Sequence, residues 1–160
     1  MASINGLTLK NIVEFKGHEG EPLFQGNIYY NNKKVGFFSQ DSWGGEEHVQ
    51  VDKAVADLFK DYQCKDYDFK GIVWAIYDVC DLLDKEKEYK RVIKKNELAS
   101  LLEIKVSDYE FARIVINKLV ASLDMTEIVC KVKNTFPKYK DFDISAFKLY
   151  KSIEDFNITT

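Results

Sequence analysis

The two histidines of this 160-residue chain lie beside acidic residues in glycine-rich stretches, which makes them its first candidates for chemistry. Imidazole and carboxylate groups together hold divalent metal ions, and a histidine–carboxylate pair can also exchange protons. The candidate metal ligands are His18, Glu19, Asp41 and His48. Their spacing matches no diagnostic metal motif, so the simpler interpretation is that they are polar residues of turns.

A tryptophan followed by two glycines lies in the segment DSWGG. Tryptophan is enriched among the residues that dominate protein interfaces, and glycine permits backbone angles that other residues avoid. Asp41, Trp43, Gly44 and Gly45 are therefore candidate partner-binding residues. Because large aromatic side chains usually bury most of their area, we expect Trp43 to fold back over the sheet core. An exposed anchor for a partner is the alternative.

A basic helical face is a second candidate binding surface. Its cations recur at three- and four-residue steps, and they are Lys87, Lys90, Arg91 and Lys94. Such a face can contact phosphates or an acidic protein. The alternative is a solvated helix end, because cations there also complement the helix dipole.

Several classes of function receive no support from the composition and motifs. There is no GxGxxG, P-loop, GxSxG or HExxH motif, so we predict no cofactor and favour a protein that is not an enzyme. The net charge of −3 does not demand nucleic acid or membrane binding, and no apolar run is long enough to span a bilayer.

The cysteines indicate the compartment. They are three in number, with no metal or redox spacing, and we predict that they are reduced in a cytoplasmic protein. We expect Cys80 and Cys130 to lie in the core and Cys64 to be exposed.

Alternating apolar residues and turn signals predict an antiparallel β-meander in the first third of the chain. Asparagine tolerates the left-handed backbone of a tight hairpin turn, which places that turn at Asn31–Asn32–Lys33. The predicted strands span 7–16, 23–30, 34–40 and 47–51, and a turn covers 17–20.

Helical spacing becomes prominent after residue 51. The predicted helices span 52–62, from near Asp68 to Lys95, and 122–136, where Ser122 or Asp124 is the cap. The segment 98–117 is compatible with a helix, but its β-branched residues favour a β-hairpin that turns at Ser107–Asp108. A closing strand is predicted over 142–150, and the tail beyond Ser152 is expected to be loosely held.

This order of elements predicts an α+β fold rather than a parallel sheet. The predicted organisation is one domain over 1–160, β-rich over 1–51 and helix-rich over 52–160. The best candidate for a subdomain boundary is the polar connector 63–69.

The stretch GHEG…LFQGNIYYNNKKVGFFSQDSWGG, from Gly17 to Gly45, resembles an N-terminal pattern of short uncharacterised proteins of bacteriophages and bacterial mobile elements. The resemblance implies a context in which small proteins bind host machinery, including anti-CRISPR-type inhibition of nucleases, and it carries no catalytic residue. We therefore expect a non-enzymatic protein that engages a host protein or protein–nucleic-acid complex. The alternatives are a small metal-dependent hydrolase or nuclease and a nucleic-acid-binding module.

Overall fold

The structure is a computed structural model that describes residues 1–64, 70–107 and 110–159. It confirms the α+β fold: antiparallel N-terminal strands, a long helix, and then a second antiparallel sheet. The chain forms two compact units, Met1–Asp84 with Asn157–Thr160, and Lys85–Phe156. The single domain over 1–160 stays a prediction, as does the boundary at 63–69, of which residues 65–69 lie outside the described ranges.

The first unit is built on one six-stranded sheet. Its strands are β1 (Ser3–Ile4), β2 (Leu7–Lys16), β3 (Pro22–Tyr30), β4 (Lys33–Ser39), β5 (His48–Val51) and β9 (Asn157–Ile158), in the order β5-β4-β3-β2-β1-β9. Neighbours from β1 to β5 are antiparallel, which confirms the predicted meander, whereas β9 pairs with β1 in parallel.

Asparagines with left-handed backbone angles lie at a turn and at a bulge of this sheet. Asn31 and Asn32 have φ angles of 47° and 66°, as a two-residue hairpin turn requires. The predicted turn is confirmed at these two asparagines, whereas Lys33 already begins β4. Asn11 has a φ of 55° where the β2–β3 register shifts between Lys10 and Val13. This β-bulge explains why Ile12 breaks the alternation of its strand and remains exposed.

Two helices follow β5 along the chain. The helix α1 spans Lys53–Leu58 and is shorter than the predicted 52–62, because the N–H of Phe59 already turns back to the carbonyl of Ala56. The long helix α2 spans Ile72–Lys95, and its predicted start near Asp68 lies outside the described residues. In the first unit, the side chains of Ala75, Ile76 and Val79 on α2 are buried.

The second unit contains a three-stranded sheet in the order β7-β6-β8, with strands β6 (Ala99–Lys105), β7 (Phe111–Asn117) and β8 (Phe147–Tyr150). The predicted hairpin over 98–117 is confirmed, and the helical interpretation is wrong. The turn of this hairpin was predicted at Ser107–Asp108. Ser107 donates its N–H to the carbonyl of Glu110 at 3.1 Å, and Asp108 lies outside the described residues.

The two faces of this sheet carry different chemistry. Leu102 and Ile104 on one face pack with Ile128 and Val132 of the helix α4 (Met125–Thr135). Glu103 alternates with them on the opposite face, where it pairs with Lys85 of α2. A short helix, α3 (Lys118–Ala121), follows β7 and was not predicted.

Of the two predicted caps of α4, Asp124 is confirmed, because it accepts the N–H of Glu127 at 2.9 Å. Two other expectations for the second unit are corrected. The closing strand covers only β8, because Asp143 caps a 3-10 turn at Ile144–Ala146 instead of extending the strand. The loosely held tail is wrong as well, since Ile153–Phe156 forms a 3-10 turn in which Phe156 is fully buried.

The predicted cysteine environments are also corrected. None of the three cysteines forms a disulfide bond within the described residues. Cys64 is buried rather than exposed, and its thiol donates to a carboxylate oxygen of Asp78 at 3.6 Å. Cys130 is exposed because it lies on the outer side of α4, and Cys80 is half-buried.

Candidate functional site

Trp43 is 75% exposed, so the expectation that it folds back over the sheet is wrong. Its indole stacks instead on the imidazole of His18, which is also exposed. The ring centroids are 4.1 Å apart and the ring planes are inclined by 24°. We call these two side chains the aromatic tip. The sequence placed both residues among its candidates, but in separate sites.

The loop that carries Trp43 is closed by a single carboxylate. Asp41 accepts the backbone N–H of Trp43 at 3.2 Å with one oxygen and that of Gly45 at 2.8 Å with the other. A Cβ at position 45 would collide with this carboxylate, and Gly44 has a φ of 78°. Both glycines are therefore required by the loop that holds the indole in place.

The loop that carries His18 is closed in a similar way. Gly17 donates its N–H to the carbonyl of Glu21 at 2.9 Å, and Glu19 donates its N–H to the carboxylate of Glu21 at the same distance. The N–H of His18 then donates to the carbonyl of Ser42 at 2.8 Å. This last bond joins the two loops, so backbone contacts fix the ring stack from both sides.

A polar network supports the end of β4, from which the tryptophan loop begins. Tyr77 of α2 donates its hydroxyl to the carboxylate of Glu47 at 2.5 Å and accepts the amide of Gln40 at 3.1 Å. Gln40 accepts the N–H of Phe24 at 2.9 Å. Burial, and then the bond to Glu47, raise the pKa of Tyr77 to about 12. The phenol therefore stays protonated and acts as a donor that fixes the strand end.

The sequence did not identify Glu21, Gln40, Glu47 or Tyr77 as parts of this site. A usable signal existed only for the loop carboxylates, because acidic side chains beside glycines commonly accept nearby backbone N–H groups. Gln40 and Tyr77 meet through tertiary packing, which the local pattern does not encode.

The four candidate metal ligands have individual roles in this geometry. His18 is stacked on Trp43, both oxygens of Asp41 accept backbone N–H groups, and His48 lies on β5 opposite Ser39. Within residues 1–64, 70–107 and 110–159, no group of three or more histidine, cysteine or acidic side chains is arranged to hold a metal ion. The metal site with Glu19 stays a prediction from the sequence.

The basic face lies in the second unit. Lys87, Lys90, Arg91 and Lys94 are all exposed on the last turns of α2. Lys90 forms a salt bridge of 2.8 Å with the buried carboxylate of Glu86. The structure places these cations on one exposed helix surface, and their role in binding stays a prediction.

The opposite side of the same helix turns carries a charged network. Lys85 forms a salt bridge of 2.9 Å with Glu103, and Arg113 contacts both Glu103, at 3.2 Å, and Glu88. Lys85 and Glu103 are buried, as is Tyr89. The solvated helix end that the sequence offered as an alternative therefore describes only one side of these turns, because Lys85 and Tyr89 on the other side are buried.

Of the helices in the described ranges, none is long and apolar enough to cross a membrane. Neither a protein-family model, a curated protein nor a solved structure matches this chain. We therefore infer its function from the geometry of its own side chains.

Proposed function

We propose that this chain is a non-enzymatic binding protein that contacts a partner protein through the aromatic tip. The observation that carries the proposal is the exposure of Trp43 on a loop whose conformation is already fixed by Asp41. Tryptophans that a partner covers often dominate the binding energy of protein interfaces. An indole held in place before binding loses little conformational entropy when it is covered by a partner.

The tip supports contact with a macromolecule better than capture of a small molecule. Small-molecule sites are concave and enclose most of the ligand surface. Trp43 is three-quarters exposed and offers its indole outward instead. Trp43 and His18 together present one stacked aromatic surface. A hydrophobic pocket on a partner that accepts the indole would therefore also cover the imidazole.

The resemblance of Gly17–Gly45 to phage and mobile-element proteins supports a narrower version of the proposal. That segment contains both loops of the aromatic tip. In such a context the partner is a host protein or a protein–nucleic-acid complex, and a CRISPR-type defence effector that the chain inhibits is the sharpest form. The protein then acts in the cytoplasm of the host cell.

Affinity capture with matched variants tests the proposal. Trp43→Ser removes the exposed indole, and Leu58→Ser, at a position that is 63% exposed in the same unit, removes a comparably exposed apolar side chain elsewhere. We expect the wild type and Leu58→Ser to retain the same bacterial protein, and Trp43→Ser to lose it. Isothermal titration with that protein should show binding weakened by about 30-fold or more, the value for a hot spot of about 2 kcal/mol.

Two results would contradict this proposal. In the first, Trp43→Ser binds the captured protein as tightly as Leu58→Ser does. In the second, no protein is retained by any variant from lysates of several bacteria, including strains with CRISPR systems.

A further inference from the structure

The strand β7 is an edge of the second sheet. In the part of the chain that the structure describes, it pairs with β6 alone. An edge strand presents unpaired backbone N–H and C=O groups along its outer side, and these can pair with an added strand. Val115, near the middle of β7, is 55% exposed.

The last turns of α2 flank this edge and form a groove with it. Val115 lies opposite Leu101, and Arg113 lies opposite Glu103. Side chains two residues apart on a strand share a face, so Val115 points to the same side as Arg113, which bonds to Glu88 of α2. A cavity of about 340 Å³ lies there, lined by Arg91, Val92, Lys95, Asn96 and Val115.

The groove has an apolar floor and a cationic rim. Val92 and Val115 provide the apolar contacts. Arg91 and Lys95 are exposed and form no salt bridge within the described residues. Arg113, by contrast, is neutralised by Glu88 and Glu103. The free positive charge of the groove therefore lies on the helix side, beside the backbone edge of β7.

The charge decides which occupant fits. A second copy of this chain added to the same edge would bring another Arg91 and Lys95 close to the first pair, and like charges disfavour that contact. A segment with carboxylates at the matching positions would be attracted instead. The groove between an edge strand and a helix is also a recurring geometry for binding an extended peptide as an additional strand.

We propose that the edge of β7 binds an extended acidic segment of a partner protein by strand addition, with apolar residues over Val92 and Val115 and carboxylates at Arg91 and Lys95. This surface is independent of the aromatic tip. Complementing the helix dipole would explain the cations at the end of α2, but it would not explain the exposed Val115. The proposed site accounts for both features.

The probe for this proposal is a short synthetic peptide of alternating glutamate and valine. Isothermal titration measures its affinity, and NMR amide shifts locate its site; the largest shifts are expected along β7. Two further peptides carry N-methyl groups on the backbone nitrogens of alternate residues. One is methylated at its odd-numbered positions and the other at its even-numbered positions. Because a strand bonds to its neighbour through every second residue, one of them should lose binding and the other should retain it.

Variants connect the binding to the named residues. The double variant Arg91→Glu/Lys95→Glu should weaken peptide binding by on the order of tenfold, since two attractive contacts become repulsive. Lys131→Glu/Lys140→Glu changes the charge equally at exposed positions outside the groove and should bind like the wild type. Trp43→Ser should also bind normally, so a failure of this proposal is distinct from a failure of the aromatic tip.

Several results would overturn the inference. They include the absence of measurable peptide binding, amide shifts that avoid β7, equal affinity of both N-methylated peptides, and equal weakening by the two double variants. A single-stranded oligonucleotide is the remaining competitor. If it binds with a strong salt dependence and displaces the peptide, the surface contacts phosphates and not an added strand.

Discussion

The imidazole of His18 stacks on the indole of Trp43, and a backbone hydrogen bond from His18 to Ser42 joins the loops that carry the two rings. Each loop is closed by a carboxylate, from Glu21 in one case and from Asp41 in the other. Contacts within the chain therefore fix the exposed aromatic surface. For the binding that we propose, this arrangement would reduce the entropy that binding must overcome, and Glu21 and Asp41 would contribute to affinity without touching the partner.

Replacing Asp41 tests whether the loop is held by its carboxylate. Asp41→Ala removes the acceptor of two N–H groups, and we expect the free energy of unfolding to fall by about 1 kcal/mol because these bonds are exposed to solvent. Binding through the aromatic tip should weaken although both rings remain. Urea unfolding and titration with the captured partner measure the two effects. If Asp41→Ala binds with wild-type affinity, the carboxylate does not position the tip.

Gly36 allows β4 and β5 to approach each other. A Cβ at this position would lie 2.8 Å from the Cα of Val51 and would collide with the carbonyl of Gln50. Because backbone atoms cannot move aside easily, Gly36→Ala should reduce the free energy of unfolding by about 1–3 kcal/mol.

The matched control for Gly36→Ala is Gly26→Ala, on β3. Its nearest obstacle would be the side chain of Ile12 at 3.3 Å, which can adjust. We therefore expect Gly26→Ala to cost less than about 1 kcal/mol. Urea unfolding of both variants is the measurement, and an equal loss of stability would show that the strand approach at Gly36 is not the constraint.

The charged network of the second unit should respond strongly to loss of one member. Glu103→Gln leaves Lys85 without its salt-bridge carboxylate in a buried position, and we expect a loss of about 3 kcal/mol of stability. The double variant Lys85→Met/Glu103→Leu replaces the buried pair with apolar side chains and should recover part of that loss. Thermal and urea unfolding compare them, and a double variant that is less stable than Glu103→Gln would contradict this account.

The raised pKa of Tyr77 predicts a loss of stability at alkaline pH. Folding raises its pKa from about 10 to about 12, first through burial and then through the bond to Glu47. The folded state thus favours the protonated phenol, so this contribution is complete below pH 10 and is lost as the pH rises through 12.

The difference in the free energy of unfolding between the wild type and Tyr77→Phe isolates this contribution, because the other tyrosines are present in both proteins. Tyr77→Phe should be less stable than the wild type by about 1 kcal/mol at neutral pH, and the gap should narrow above pH 10. Urea unfolding across this pH range measures it. A gap that stays constant would show that Tyr77 does not change its proton affinity on folding.

The elements that could be predicted from the sequence are those whose signal is local. The meander follows from alternation and from Asn31 and Asn32, whose left-handed angles the turn requires. The hairpin over 98–117 follows from its β-branched residues, although a helical spacing was also present. The end of α4 follows from Pro137, which begins a 3-10 turn directly after it.

The elements that could not be predicted depend on tertiary contacts. The tail appears polar in sequence, but Phe156 stacks on Tyr150 with 4.5 Å between ring centroids, and Asn157 pairs with Ser3 across the whole length of the chain. Cys64 lies in a polar stretch of the sequence, yet it is buried with its thiol 3.6 Å from the carboxylate of Asp78. No local window contains either partner.

The candidate site could be predicted only in part, because local patterns identify its loop but not the contacts that orient the side chains. The unusual composition around Trp43 identified the loop, and the glycines identified its backbone. The general tendency of aromatic residues to be buried then led to the wrong orientation, because that tendency does not include the hydrogen bonds from Asp41 that hold the loop outward.

The exposure of Trp43 also gives the molecule an intrinsic optical reporter. The sequence holds two tryptophans, and the second, Trp74, is partly buried beside Tyr77. A Trp74→Phe chain would therefore emit indole fluorescence from the aromatic tip alone. Its emission maximum would move to shorter wavelengths whenever that ring is covered, which allows engagement at this one residue to be followed in real time without attaching a dye.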